Sequence, residues 1–271
     1  MPSKSDPNGQ NTMERVKKEF TYMSRDSRFI VEVLGIVKDG FGSPVILMPI
    51  YPLGSLAGCT LTEKESITAF RQILVGLMHL KNFDILHRDI KPGNILIRKR
   101  TPKRFQIVLA DFGIAEIFDE KAEVVNDRSD VWSTGIIMLE KMYGLDKEKF
   151  PKPESESGRA EWYARWQEEV RSKVESIDSE SEPGSLMKEM LQRIFVKCDK
   201  RVDAWGCHGV GSQIKLWRRH SIRLRARWWR SWVKWVDGVP EMRKQENQGD
   251  RKRKRMLLDT GEVNLHASDV K

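Results

Sequence analysis

The sequence predicts an α+β fold, with strands and helices near the start, a mostly helical remainder and a basic tail. Three observations predict it. Apolar residues recur at helical spacing in several stretches, two of them opened by a residue able to cap the helix. Short runs rich in Ile, Val and Leu, at residues 29–36, 44–48, 95–97 and 105–110, are bounded by Gly, Pro or charged residues and read as strands. Charge gathers at one end: of a net +9, residues 212–255 carry 15 Lys plus Arg against 4 Asp plus Glu, a local +11 that leaves the rest at −2.

Taken in order, residues 1–12 are polar and are expected to be disordered. A helix is expected from Asn11, which can cap with Glu14, and Met13, Val16, Phe20 and Met23 share its apolar face. Strand 29–36, a turn at Asp39-Gly40-Phe41-Gly42 and strand 44–48 follow. Thr60 and Glu63 read as a capping box for a helix whose stripe is Ile67, Phe70, Leu74, Leu77 and Leu80, ending near Asn82. Ile85 and Leu86 lead into a sharp loop, where Pro92 and Gly93 exclude a helix. Beyond it come the run Ile95-Leu96-Ile97, a basic turn over 98–104 and the run 105–110.

The loop carries the chemistry. His87-Arg88-Asp89-Ile90-Lys91-Pro92-Gly93-Asn94 offers a carboxylate, a cation two residues on and an amide five residues on. The two strand-like runs bring Asn94 and Asp111 side by side at one edge. Both are hard oxygen donors, suited to Mg²⁺ with retained waters and substrate phosphates.

Together with Asp111-Phe112-Gly113, this loop resembles the catalytic loop and metal-binding D-F-G of the eukaryotic protein kinases, Ser/Thr type. The resemblance covers roughly residues 13–208 and implies a two-lobe, protein-kinase-like fold. A truncated small lobe would occupy 13–51 and a mostly helical large lobe 52–210, with a Trp/Arg-rich tail over 211–271. It implies ATP and Mg²⁺ as cofactors and a protein Ser/Thr hydroxyl as substrate. Asp89 would accept or orient the hydroxyl proton and Lys91 would neutralise the transferred group. Asn94 and Asp111 would hold the metal. Met48, Pro49 and Tyr51 fall at the adenine-binding hinge, with contacts from the Pro49 carbonyl and the Tyr51 amide, and Leu96 joins the nucleotide-contacting set. Glu19 occupies the place of the helix glutamate that pairs with a strand lysine. His87 and Arg88 would fix the loop and pack beneath Phe112, and Asp130 would hold the loop backbone. Arg201 would stand where an arginine normally pairs with the A-P-E glutamate.

The sequence departs from the family in three places. No G-x-G-x-x-G precedes Glu19, only 16 residues separate Gly113 from Asp130, and no A-P-E is present. The expected activity is ATP- and Mg-dependent transfer to protein Ser/Thr. The alternative is a catalytically impaired pseudokinase or fragment that serves as a binding module.

The remaining features bound the rest. Cys59, Cys198 and Cys207 form no disulfide framework, and Cys198, Cys207 and His208 lack a fourth ligand at zinc-finger spacing. No apolar run approaches the roughly 20 residues of a membrane span. An intracellular location, nucleus or cytoplasm, is expected. After a linker over 143–158, helices are expected around Trp162, Trp166, Val170 and Val174 and around Leu186, Met190, Leu191 and Ile194, separated by a breaker at 179–184. In the tail, Trp217, Leu224, Trp228, Trp232 and Trp235 interleave with arginines. That pattern suits a helix packed on the large lobe or a surface for an anionic partner. Arg251-Lys252-Arg253-Lys254-Arg255 reads as a nuclear-import cluster or a solvated tail.

Overall fold

The structure is a computed structural model that describes residues 8–24, 27–117, 128–146, 149–151, 153, 158–197, 200–214 and 216–217. Helix α1 spans Asn8–Met23. It begins ahead of the expected Asn11 cap, so residues 8–12 are helical rather than disordered, and residues 1–7 lie outside the described residues. Once Tyr22 and Met23 are buried at its far end, each residue added upstream gains a backbone hydrogen bond at little further cost.

The apolar run at 29–36 divides in two. Only Gly35–Lys38 forms strand β1, antiparallel to β2, Pro44–Leu47, with Gly35 opposite Leu47. Upstream, Phe29, Ile30 and Val31 are buried. The Val31 amide donates to Leu109 O and the Leu109 amide to Phe29 O, both at 2.8 Å. Burial against the main core therefore draws these residues away from the hairpin. In the turn, the Asp39 carboxylate accepts from the Phe41 and Ser43 amides, and Gly42 adopts a φ of 82° that favours glycine.

Helix α2 spans Glu63–Lys81, and its capping box is Thr62 with Glu65, not Thr60 with Glu63. Both pairs have the required spacing. Leu61 is buried just ahead of the cap, and Arg100 fixes Glu65 through a 2.7 Å bond from Nε, which settles the frame one turn-step later. The expected stripe of α2, Ile67 to Leu80, is buried.

Strands β3 (Ile85–Leu86) and β6 (Glu116–Ile117) pair, as do β4 (Ile95–Thr101) and β5 (Arg104–Leu109). The basic stretch expected to turn over 98–104 is mostly strand. Lys99, Arg100 and Thr101 pair with Gln106, Phe105 and Arg104 past a register shift, and Thr101 Oγ1 accepts the Arg104 amide at 3.0 Å. From α2, Gln72 brackets β5, donating to Phe105 O and accepting the Ile107 amide, each at 2.9 Å.

The helical part continues with α3 (Arg128–Tyr143), α4 (Arg159–Glu175), α5 (Glu182–Ile194) and α6 (Ala204–Gln213). Pro183 and Gly184, expected to break the chain, lie in the first turn of α5. Ser181 caps that turn, and proline is tolerated there because its missing donor would go unused. A Cβ on Gly184 would come 2.1 Å from Asp178 O, so only glycine fits. Helix α6 is capped by Asp203, which also pairs with Lys81 at 2.9 Å and so ties α6 to the end of α2.

The root of the basic tail is packed. Trp217 is buried against Phe70 and His208, donates from Nε1 to His208 O at 3.0 Å, and lies under the Arg71 guanidinium. The tail helix expected beyond it, and Cys198, lie outside the described residues.

Candidate active site

The β4–β5 hairpin sets the site. Its pairing places Ile95 opposite Leu109, and one step further the Ala110 amide donates to Asn94 O at 2.9 Å. Asn94 and Asp111 therefore leave the two strands at the same end. Between Leu86 and Ile95 the chain forms the loop, closed by a 3-10 turn at Pro92–Asn94.

The loop is held from beneath. Asp130, buried in the first turn of α3, accepts the His87 and Arg88 amides, each at 2.9 Å. Arg88 sits at φ 67° and Asp111 at φ 66°, two of the three non-glycine residues with positive φ among the described residues. Such conformations persist where surrounding bonds over-determine them, and here Asp130 supplies those bonds at Arg88. The Arg88 guanidinium pairs with Glu116 of β6.

His87 is fully buried, with its ring 4.6 Å from that of Phe112. Nε2 lies 3.2 Å from Ala110 O, and the Asp89 amide donates to Nδ1 at 3.4 Å. These partners fit a neutral ring, protonated at Nε2. Burial enforces that state, pushing its pKa down to about 4.

Asp89 is the hub. Its Oδ2 accepts from Lys91 Nζ at 2.6 Å and from Asn94 Nδ2 at 2.8 Å, while Asn94 Nδ2 also donates to the Asp89 carbonyl at 3.0 Å. The bond to Asp89 raises the Lys91 pKa, so the ammonium stays charged. With the Asn94 amine committed to Asp89, its oxygen Oδ1 is the atom left to face a cation. Asp111 is exposed, and its Oδ1 accepts the Gly113 amide at 3.4 Å. An amide oxygen and a carboxylate fit Mg²⁺ by hardness. Among the described residues no group of three or more His, Cys, Asp or Glu gathers.

Glu19 on α1 reaches the same place. Its carboxyl pKa is raised, chiefly by burial and then by the Asp111 charge, against the Phe112 amide and Arg15, which pull it down. The glutamate therefore meets Asp111-Phe112-Gly113. Arg15, one turn back on the same helix, is the cation named among its electrostatic neighbours.

The hinge residues lie apart, in the extended stretch after β2. Tyr51 O accepts the Gly54 amide at 3.0 Å, and Met48 is exposed. The exit segment then runs antiparallel to β4: the Leu56 amide donates to Ile95 O at 2.9 Å, the Ile97 amide donates to Gly54 O at 2.8 Å, and Ser55 bridges Leu96. This clamp fixes half-buried Leu96 and ties the hinge to the strand that carries Asn94. The structure thus brings together Asp89, Lys91, Asn94, Asp111 and Glu19, and links Met48, Pro49 and Tyr51 to them through the backbone. Sequence reasoning missed Gln72 and Glu116. A polar residue on a helix and a two-residue strand give no periodic signal.

Fold and site together define a domain of protein-kinase-like architecture, and comparison with known proteins agrees. Residues 2–128 match the protein kinase domain family. Mitogen-activated protein kinase kinase 7 of Arabidopsis thaliana is 33% identical over 146 residues, 44% of this chain and 46% of the relative. Serine/threonine-protein kinase dst4 of Dictyostelium discoideum is 27% identical over 227 residues, 68% of this chain and 46% of the relative. The match thus spans less than half the length of these relatives. The crystal structure of Rad53 kinase domain and SCD2 superposes with a TM-score of 0.57 at 20% identity, covering 73% of this chain and 77% of that one, which shows the shared fold. The chain is therefore similar in sequence to the eukaryotic protein kinases over residues 2–128 and shares their fold.

Proposed function

We propose that this domain binds ATP with Mg²⁺ and transfers the terminal phosphoryl group to a Ser or Thr hydroxyl of a protein. The observation that carries the proposal is the Asp89, Lys91 and Asn94 knot, held in one geometry by Asp130. Such transfer depends on positioning and charge stabilisation more than on covalent chemistry from the protein. Asp89 accepts or orients the hydroxyl proton as the hydroxyl oxygen bonds to phosphorus and ADP departs with the electron pair of the broken bond. A base so placed contributes about 10²–10⁴-fold. Lys91 balances charge on the transferred group. Asn94 Oδ1 and Asp111 hold the metal, which supplies neutralisation of the phosphate charge. Met48, Pro49, Tyr51 and Leu96 receive the purine.

A second reading, an impaired kinase acting as a binding module, draws on the small lobe. Among the described residues it has one two-stranded sheet, β1 and β2, and Glu19 faces Asp111 rather than a strand lysine. The basic tail is proposed to bind an anionic partner, and the location is proposed to be nucleus or cytoplasm.

Thermal shift with ATP tests nucleotide and metal binding together. The expected result is a shift that requires Mg²⁺ and is lost in Asp111→Asn. Equal shifts with and without Mg²⁺ contradict the metal assignment.

A further inference from the structure

We infer that Arg201 is a positioning residue for the catalytic loop, acting through the N-terminus of α3. Arg201 is almost fully buried, with 7% of its surface exposed. Its guanidinium donates to three backbone carbonyls: Nε to Ile194 O at 2.8 Å, NH1 to Arg128 O at 3.1 Å and NH2 to Val196 O at 3.1 Å. It also lies over the Trp132 ring at 4.6 Å, and Trp132 packs edge-on against Phe195 at 4.8 Å.

Two of these carbonyls close the end of α5, and the third belongs to the first residue of α3. The guanidinium therefore staples the end of one helix to the beginning of another. Two residues past Arg128 is Asp130, whose carboxylate accepts the His87 and Arg88 amides. The path from Arg201 to the loop is thus one side chain, two residues of helix and two charge-assisted bonds. Arginine suits the role because its planar fork serves separated acceptors while its face stacks on an aromatic ring. A lysine ammonium is a point charge on a flexible stem and cannot span the same carbonyls.

The staple fixes how far Asp130 rises toward the loop, and so whether Arg88 keeps its φ of 67°. This deepens the proposed function, since the loop concerned carries Asp89, but the geometry can be read without any transfer activity.

The test is amide exchange in the folded full chain, read residue by residue by NMR. Arg201→Lys is expected to speed exchange at the His87 and Arg88 amides by about tenfold or more, while the Phe70 and Leu74 amides of α2 hold their protection. Trp132→Phe keeps an aromatic ring against Phe195 and weakens only the stack, and it is expected to move the same two amides by a smaller factor. It also serves as the test if Arg201→Lys does not fold. His87 and Arg88 exchange unchanged in a folded variant overturns the proposal. Equal loss of protection across α2 also overturns it, because the role is then general stability.

Discussion

Replacing Asp130 by Asn isolates the contribution of the carboxylate beneath the loop. In the native protein both oxygens accept backbone amides, at 2.9 Å to His87 and 2.9 Å to Arg88. Hydrogen bonds to a charged group contribute roughly 1.5–3 kcal/mol each, and a neutral one roughly 1 kcal/mol. Asn keeps one acceptor and turns an NH₂ toward the other amide, which leaves a buried donor facing a donor. The expected loss is about 2–4 kcal/mol. It is moderated because Arg88, freed from its bond, can relax a positive φ whose strain is of order 1–3 kcal/mol. For a domain of this size each kcal/mol moves the melting temperature by about 2–4 °C, so a fall of roughly 5–15 °C is expected. Urea unfolding at pH 7, with the slope checked for constancy, gives the free energy directly. A folded Asp130→Asn within about 0.5 kcal/mol of wild type, the range of ordinary surface changes, would refute the claim that Asp130 holds the loop.

Two further outcomes are expected. Burial lowers both His87 and His208 to about 4, well below the unfolded value. Between about 4 and 6.5 the unfolded chain binds more protons, so stability rises with pH and is lost as pH falls through that window. The lowered carboxyls of Glu65 and Asp203 act in the same direction further down, and the raised Glu19 opposes it. Urea midpoints should fall from pH 7 to pH 5 and fall less in His208→Gln; a flat wild-type profile contradicts this. In the tail, binding to nucleic acid or anionic vesicles should weaken steeply with salt and vanish on deletion of residues 218–255. Binding that survives the deletion places the basic surface elsewhere.

The site was legible in the sequence because its chemistry is local. Asp89, Lys91 and Asn94 lie within six residues and bond to one another, and the strands that align Asn94 with Asp111 are adjacent and apolar. The stripe of α2 was legible for the same reason, since one face repeats at helical spacing and is buried. What failed depended on distant partners. Residues 29–31 have strand composition but are claimed by Leu109, some 80 residues on. The choice of Thr62 over Thr60 rests on Arg100, which no local pattern reveals. Helix α6, with Gly206, Gly209 and Gly211 in ten residues, has the composition of a loop. It is helical because Asp203 caps it and because Ala204, Cys207 and His208 are buried. Only the resemblance gives Arg201 a place, and its carbonyl partners are visible only in three dimensions.

Whether the loop performs phosphoryl transfer is read from labelled γ-phosphate passing to a Ser/Thr peptide, with the purified chain and with Asp89→Asn. The substitution removes a proton acceptor with little change in shape. Any transfer by the wild type should depend on Asp89 and fall by about two to four orders of magnitude in the variant, while Mg·ATP binding persists. With one two-stranded sheet described in the small lobe, the wild-type rate is expected to be low. Transfer that is clearly measurable and undiminished in Asp89→Asn would exclude Asp89 as the proton acceptor.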